Sequence, residues 1–130
     1  LAALQEREAE NGLMALTRDF RETVMARAKR DAAFRREMLK TGIELMLSAD
    51  AEDTAFGREQ LRDYINATIG FQDLGKLVDK TPKSLMRMFS KEGNPRHNNL
   101  TAVFGQLQAQ EGVRIGITLR RNPKPTRKSA

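Results

Sequence analysis

The chain has 130 residues, 39% of them hydrophobic and 31% charged, enough for one modest core and not for two large ones. No apolar run approaches the roughly 18 residues that a membrane-spanning helix needs, and without cysteine there is neither a disulfide framework nor a thiolate metal site. The net charge of +6 is unevenly placed: residues 1–70 hold 11 Lys/Arg against 13 Asp/Glu, residues 71–130 hold 12 against 4, so the footprint for a polyanion lies in the second half.

Residues 1–13 are rich in Glu, Gln and Ala and precede Met14. They read as an N-terminal extension outside the core, with no function assigned. The chain begins without the basic-then-apolar pattern of a signal peptide, and the expected compartment is the cytoplasm. Residues 14–68 form an N-terminal helical unit. Thr17 is placed to cap a first helix in which Phe20, Val24 and Ala28 share a face. Asp31 caps a longer second helix, with Phe34, Met38, Leu39, Ile43, Met46 and Leu47 in one apolar stripe. Arg35, Arg36, Lys40 and Glu44 are expected to face outward. Asp50 or Asp53 opens a third helix carrying Leu61, Tyr64, Ile65 and Thr68 on one side, and Gly70 stands where a C′ glycine is expected. Met, Leu and Phe at this spacing read as core rather than as a cofactor pocket.

After Gly70 the helices shorten and a second unit, residues 69–120, begins. Phe71 to Val78 reads as a helix with Phe71, Leu74, Leu77 and Val78 inward, and Asp79-Lys80 as a turn. Thr81-Pro82 opens the next helix, because threonine accepts from free amides and proline at the first helical position loses nothing. Leu85, Met88 and Phe89 supply its buried side. Ser90 to Asn98 is a polar loop around Gly93, Asn94 and Pro95. Asn98 or Asn99 then caps a last helix through about Gln110, with Leu100, Val103, Phe104 and Leu107 inward. From Val113 the period becomes two: Val113, Ile115, Ile117 and Leu119 alternate with Arg114, Gly116, Thr118 and Arg120, a strand pattern. A lone strand must pair within the chain or across a dimer. Residues 121–130 hold two prolines and four Lys/Arg with no apolar anchor, the composition of a disordered basic tail. The fold class expected is mainly α, five to six helices with one short C-terminal β-strand.

The informative constellation lies between Phe71 and Phe89. Two short helices crossing steeply need a small residue where their backbones approach, and Gly75 occupies that place. Leu74, Val78 and Leu85 provide the apolar contacts around the turn. Lys83, Ser84, Met86 and Arg87 are left on the outer face of the second helix, which can enter the DNA major groove. Each exposed cation taken alone is more often just solvated; together, on the surface that this pattern leaves, they favour DNA.

The segment from about Leu61 to Leu119 resembles the lambda-repressor-like (Xre-type) helix-turn-helix family. It is most similar to the addiction-module antidote proteins and their transcriptional-regulator relatives. The marks are Leu74-Gly75, Thr81-Pro82-Lys83-Ser84-Leu85 and Ser90-Lys-Glu-Gly-Asn-Pro95. The resemblance implies that Ser84-Leu85-Met86-Arg87 belongs to a recognition helix, followed by the Gly-Asn-Pro loop. Asp79 stands where glycine is usual, and Asp tolerates left-handed geometry better than most residues. Gly75 stands where alanine is usual, which keeps the packing but weakens the helix by ~1 kcal/mol. Members of the family can neutralise a cognate toxin, typically a small ribonuclease, and repress their own operon.

The chemistry of the side chains suggests their roles. Arg87 suits bidentate pairing with guanine, and Lys83 can reach a base or a phosphate. Ser84 and the N-terminal amides near Thr81, where Pro82 opens the helix, can hold a phosphate. Lys91, Asn94, Arg96 and Asn98 lie where backbone contacts would be made. The partners expected are double-stranded DNA, a second copy pairing through Val113–Leu119 with help from Thr17–Thr68, and a cognate toxin; no membrane is expected. His97, the only histidine, lies in a polar loop and reads as a surface residue. Asp50, Glu52 and Asp53 lack the spacing of a calcium loop and read as helix-start charges. There is no phosphate-binding Gly-Lys-Ser/Thr loop and no defensible catalytic triad, so neither enzyme, cofactor nor metal is expected. The rival class is a helical protein-interaction module that never binds nucleic acid.

Overall fold

Three of the described helices begin where a side chain satisfies amides that the first turn leaves without partners. The computed structural model describes residues 18–123, and among them six helices and no strand. The first, α1, covers residues 18–30. Asp31 caps α2 (Ala32–Met46), its carboxylate accepting from the Phe34 amide at 3.1 Å. The Arg27 guanidinium reaches back to Asp31 at 3.3 Å and lies 4.3 Å from the centre of the Phe34 ring. Asp50 caps α3 (Ala51–Ala67), with Glu52 and Asp53 in the first turn, where the helix dipole favours them. α4 (Phe71–Val78), α5 (Pro82–Met88) and α6 (His97–Glu111) follow.

α2 and α3 pack against each other more extensively than any other pair among α2–α6, and two glycines let them approach. A methyl on Gly57 would lie 2.7 Å from the Gly42 carbonyl oxygen, and one on Gly42 would lie 2.8 Å from Leu61. The buried residues make a single cluster running from Ala28 through Leu39, Leu61, Tyr64 and Leu74 to Phe89, Val103 and Leu107. Residues on both sides of position 69 share that core. A carboxylate closes it: Glu111, at the end of α6, accepts from Arg35 at 3.0 Å, Arg36 at 3.3 Å and the Tyr64 hydroxyl. Its side chain is buried, so these partners replace the water it gave up.

Several side chains lie elsewhere than their spacing predicts. Arg35 is half-buried instead of facing outward, because it turns toward Glu111; Arg36 also reaches that carboxylate but stays exposed, as expected. Leu47 is the C-cap of α2 and 75% exposed, past the end of the stripe that buries Met38, Leu39 and Ile43. Phe20 and Leu77 are also exposed, whereas Ala28, Phe71 and Leu74 are buried as their spacing predicts. Thr68 is an exposed C-cap whose hydroxyl donates to the Tyr64 carbonyl at 2.8 Å. Gly70 lies two residues beyond that cap at φ 82°, donates to the Ile65 carbonyl at 2.8 Å and starts α4. α6 begins one residue before Asn98, with Arg96 at its N-cap and no side-chain cap. Thr17, residues 1–13 and most of the basic tail lie outside the described residues.

No strand forms over 113–119 among the described residues. The Ile115 amide donates to the Gln108 side chain at 2.7 Å, and Arg120 meets Glu44 at 2.7 Å. Ile117 and Leu119 are 84% and 92% exposed. A ladder needs a second strand, and the single chain offers none here. No described helix is long and apolar enough to cross a membrane.

Candidate nucleic-acid interface

The α4–turn–α5 unit is set by residues that leave the backbone little choice. Asp79 ends α4 in the left-handed region at φ 56°, ψ 52°, and the Lys80 amide donates to the Gly75 carbonyl at 2.9 Å. A methyl on Gly75 would stand 2.4 Å from the Lys80 carbonyl oxygen. Alanine there would not keep the packing, contrary to what the resemblance implied. Thr81 then caps α5, its hydroxyl accepting from the Ser84 amide at 3.1 Å, with Pro82 at the first helical position. Leu85, Met88 and Phe89 are buried. The Phe89 ring lies 6.5 Å from that of Phe71, tying the end of α5 to the start of α4.

What burial leaves outside is the side expected to meet DNA. Thr81, Lys83, Ser84, Met86 and Arg87 are exposed and Pro82 is half-buried. The Ser84 amide is already used by Thr81, so any phosphate contact from Ser84 falls to its hydroxyl. Lys76 on α4 and Lys80 in the turn add positive charge beside Asp73 and Asp79.

The segment leaving α5 is held from both ends. The Ser90 hydroxyl donates to the Arg87 carbonyl at 2.8 Å and the Gly93 amide to the Ser90 carbonyl at 3.0 Å. A methyl on Gly93 would lie 2.4 Å from the Met88 carbonyl oxygen, so this turn folds tightly against the end of α5. From α3, Arg58 donates to the carbonyls of Ser90 at 2.9 Å and Lys91 at 2.8 Å. Lys91, Asn94 and Arg96 are exposed along this loop. Asn98 is exposed too, but in the first turn of α6, and His97 starts that helix instead of lying in the loop. Arg58 carried no local sequence signal: an Arg among polar helix neighbours looks solvated, and only the folded chain brings the carbonyls 32 and 33 positions away to it. By sequence Gly93 reads only as a loop residue, because its close approach to the end of α5 has no local signal.

Among the described residues no group of three or more His, Asp or Glu could hold a metal ion. Comparison with protein-family models, with curated proteins and with solved structures finds no match.

Proposed function

We propose that the chain is a sequence-specific DNA-binding transcriptional regulator, using α4–turn–α5 as a lambda-repressor-like helix-turn-helix. The observation that carries this reading is the division of α5. One side is buried through Leu85, Met88 and Phe89, the other offers Lys83, Ser84 and Arg87, and the turn before it admits no extra methyl. A helix so held can enter a major groove about 12 Å wide. Arg87 pairs with a guanine edge and Lys83 with a base or phosphate. Met86 offers an apolar contact to a thymine methyl, while Thr81 and Pro82 hold the helix start against the backbone. Lys91, Asn94, Arg96 and Asn98 anchor phosphates on the flank.

One seven-residue helix covers few base pairs. Two copies about 34 Å apart, one helical turn of DNA, supply the rest of the specificity. Val113–Leu119 pairs with its symmetry mate in this reading, supported by the exposure of Ile117 and Leu119. An antitoxin-like, autoregulatory role in the cytoplasm, with a cognate toxin as second partner, extends it. The second reading, an interaction module without DNA binding, is favoured by the exposed rings of Phe20 and Phe56.

Salt separates the two. If the dimer neutralises six to ten phosphates, its duplex affinity falls by about 10³–10⁵ between 50 and 200 mM salt. Sedimentation at tens of micromolar should give a dimer, and Leu119→Arg a monomer. No duplex binding at low salt, or a wild-type monomer, would count against this function.

A further inference from the structure

The groove between α1, α2 and α3 lies apart from the α4–α5 surface and has a volume of about 450 Å³. Phe20, Phe34, Met38 and Phe56 form its apolar wall, with Phe20 and Phe56 70% and 64% exposed. Its rim carries Glu37, Glu59 and Asp63 against one cation, Arg21. Arg21 stands 3.6 Å from Glu59 and 3.5 Å from Asp63. Burial holds the Asp63 carboxyl above the ordinary range, which Arg21 and then Arg62 only partly offset. Three carboxyl groups against one guanidinium leave the lining acidic.

Two exposed aromatic rings over an apolar floor mark an interaction surface. A small molecule fits poorly, because such ligands are usually 70–90% enclosed, and here the rings stand largely in solvent. DNA and anionic membranes would meet the acidic rim with like charge. A second copy docking groove to groove would set acid against acid. Residues 1–17 carry Glu6, Glu8 and Glu10 against Arg7, again the wrong sign, and residues 121–130 have the right sign but no large apolar side chain. No described sheet edge exists for strand addition. The α2 wall from Phe34 to Thr41 runs about 10 Å, two helical turns, the span of an i, i+4, i+7 apolar row.

We propose that this groove docks a cationic amphipathic helix of a partner protein, its apolar row between Phe20 and Phe56 and its Lys/Arg against Glu37, Glu59 and Asp63. The site is independent of the DNA reading and survives its failure.

The test uses the full chain and two labelled synthetic helices of about 18 residues, long enough to hold helical structure on docking. Both carry the same Leu row; one has Lys on its flanks and the other Glu. By fluorescence anisotropy near physiological salt the Lys helix should bind at least about tenfold more tightly. Phe56→Ser should weaken it about tenfold, and Glu59→Lys should shift the preference toward the Glu helix. Both variants should keep the wild-type circular dichroism and any duplex binding. No binding of the Lys helix, equal binding of the two helices, or binding unchanged in both variants overturns the proposal. So does a wild-type dimer that dissociates with Phe56→Ser, since a second copy would then fill the groove.

Discussion

Gly75 and Asp79 shape one turn for different reasons. At Gly75 the constraint is space, since a methyl would stand 2.4 Å from the Lys80 carbonyl oxygen. At Asp79 it is the left-handed backbone, which a short polar side chain tolerates. Gly75→Ala should therefore destabilise the fold by about 1–2 kcal/mol in urea unfolding, overpacking exceeding the ~1 kcal/mol that alanine gains in helix propensity. A more stable Gly75→Ala variant would mean that the turn opens freely. Tyr64 makes a different prediction, through pH. Burial, first, and then the hydrogen bond to Glu111 push its phenol well above the ordinary value of 10.0. The folded chain keeps that proton where the unfolded chain loses it, so this contribution is intact below pH 10 and lost as pH rises through the folded value. Denaturation midpoints of the wild type should fall more steeply above pH 10 than those of Tyr64→Phe. Parallel alkaline slopes would show that the hydroxyl is not held as described.

At the scale of elements, the bounds of α4 and the start of α5 were legible because their signals are local. A threonine cap, a proline at the first helical position, a left-handed Asp and apolar residues at helical spacing all lie within one stretch. The start of α6 was not legible, because Asn98 and Asn99 look like caps while Arg96 takes that position without a side-chain bond. Leu47 and Leu77 fit the helical period by sequence, yet one lies past the helix end and the other beside the buried face. Long-range pairs were invisible in one sequence, and both Glu111 with Arg35 and Arg58 with the Ser90–Lys91 carbonyls are of that kind. The exposed side of α5 could be read because burial of the opposite side dictates it. Arg58 gives a test at this scale. If its two hydrogen bonds order the loop, Arg58→Met should weaken binding to all duplexes alike and reduce the salt slope, leaving sequence preference intact. Loss of preference instead would place Arg58's influence on α5 itself.

For the whole molecule, one buried cluster joins the helical unit to α4–α6, so the surface of α5 is carried on a frame that includes α2 and α3. The net positive charge lies on the second half of the chain and the acidic groove on the first, which suits two partners of opposite charge. If α5 reads bases, Arg87 is the side chain whose loss shows it most directly. The measurement is the difference in binding free energy between the chain's own upstream duplex and a random duplex, at fixed physiological salt, for wild type and Arg87→Ala. If Arg87 reads a guanine, the wild type prefers the upstream duplex and Arg87→Ala loses about 1–3 kcal/mol of that preference. If the wild type binds both duplexes alike, or Arg87→Ala keeps the full preference, α5 does not read DNA through Arg87 and the recognition-helix assignment fails.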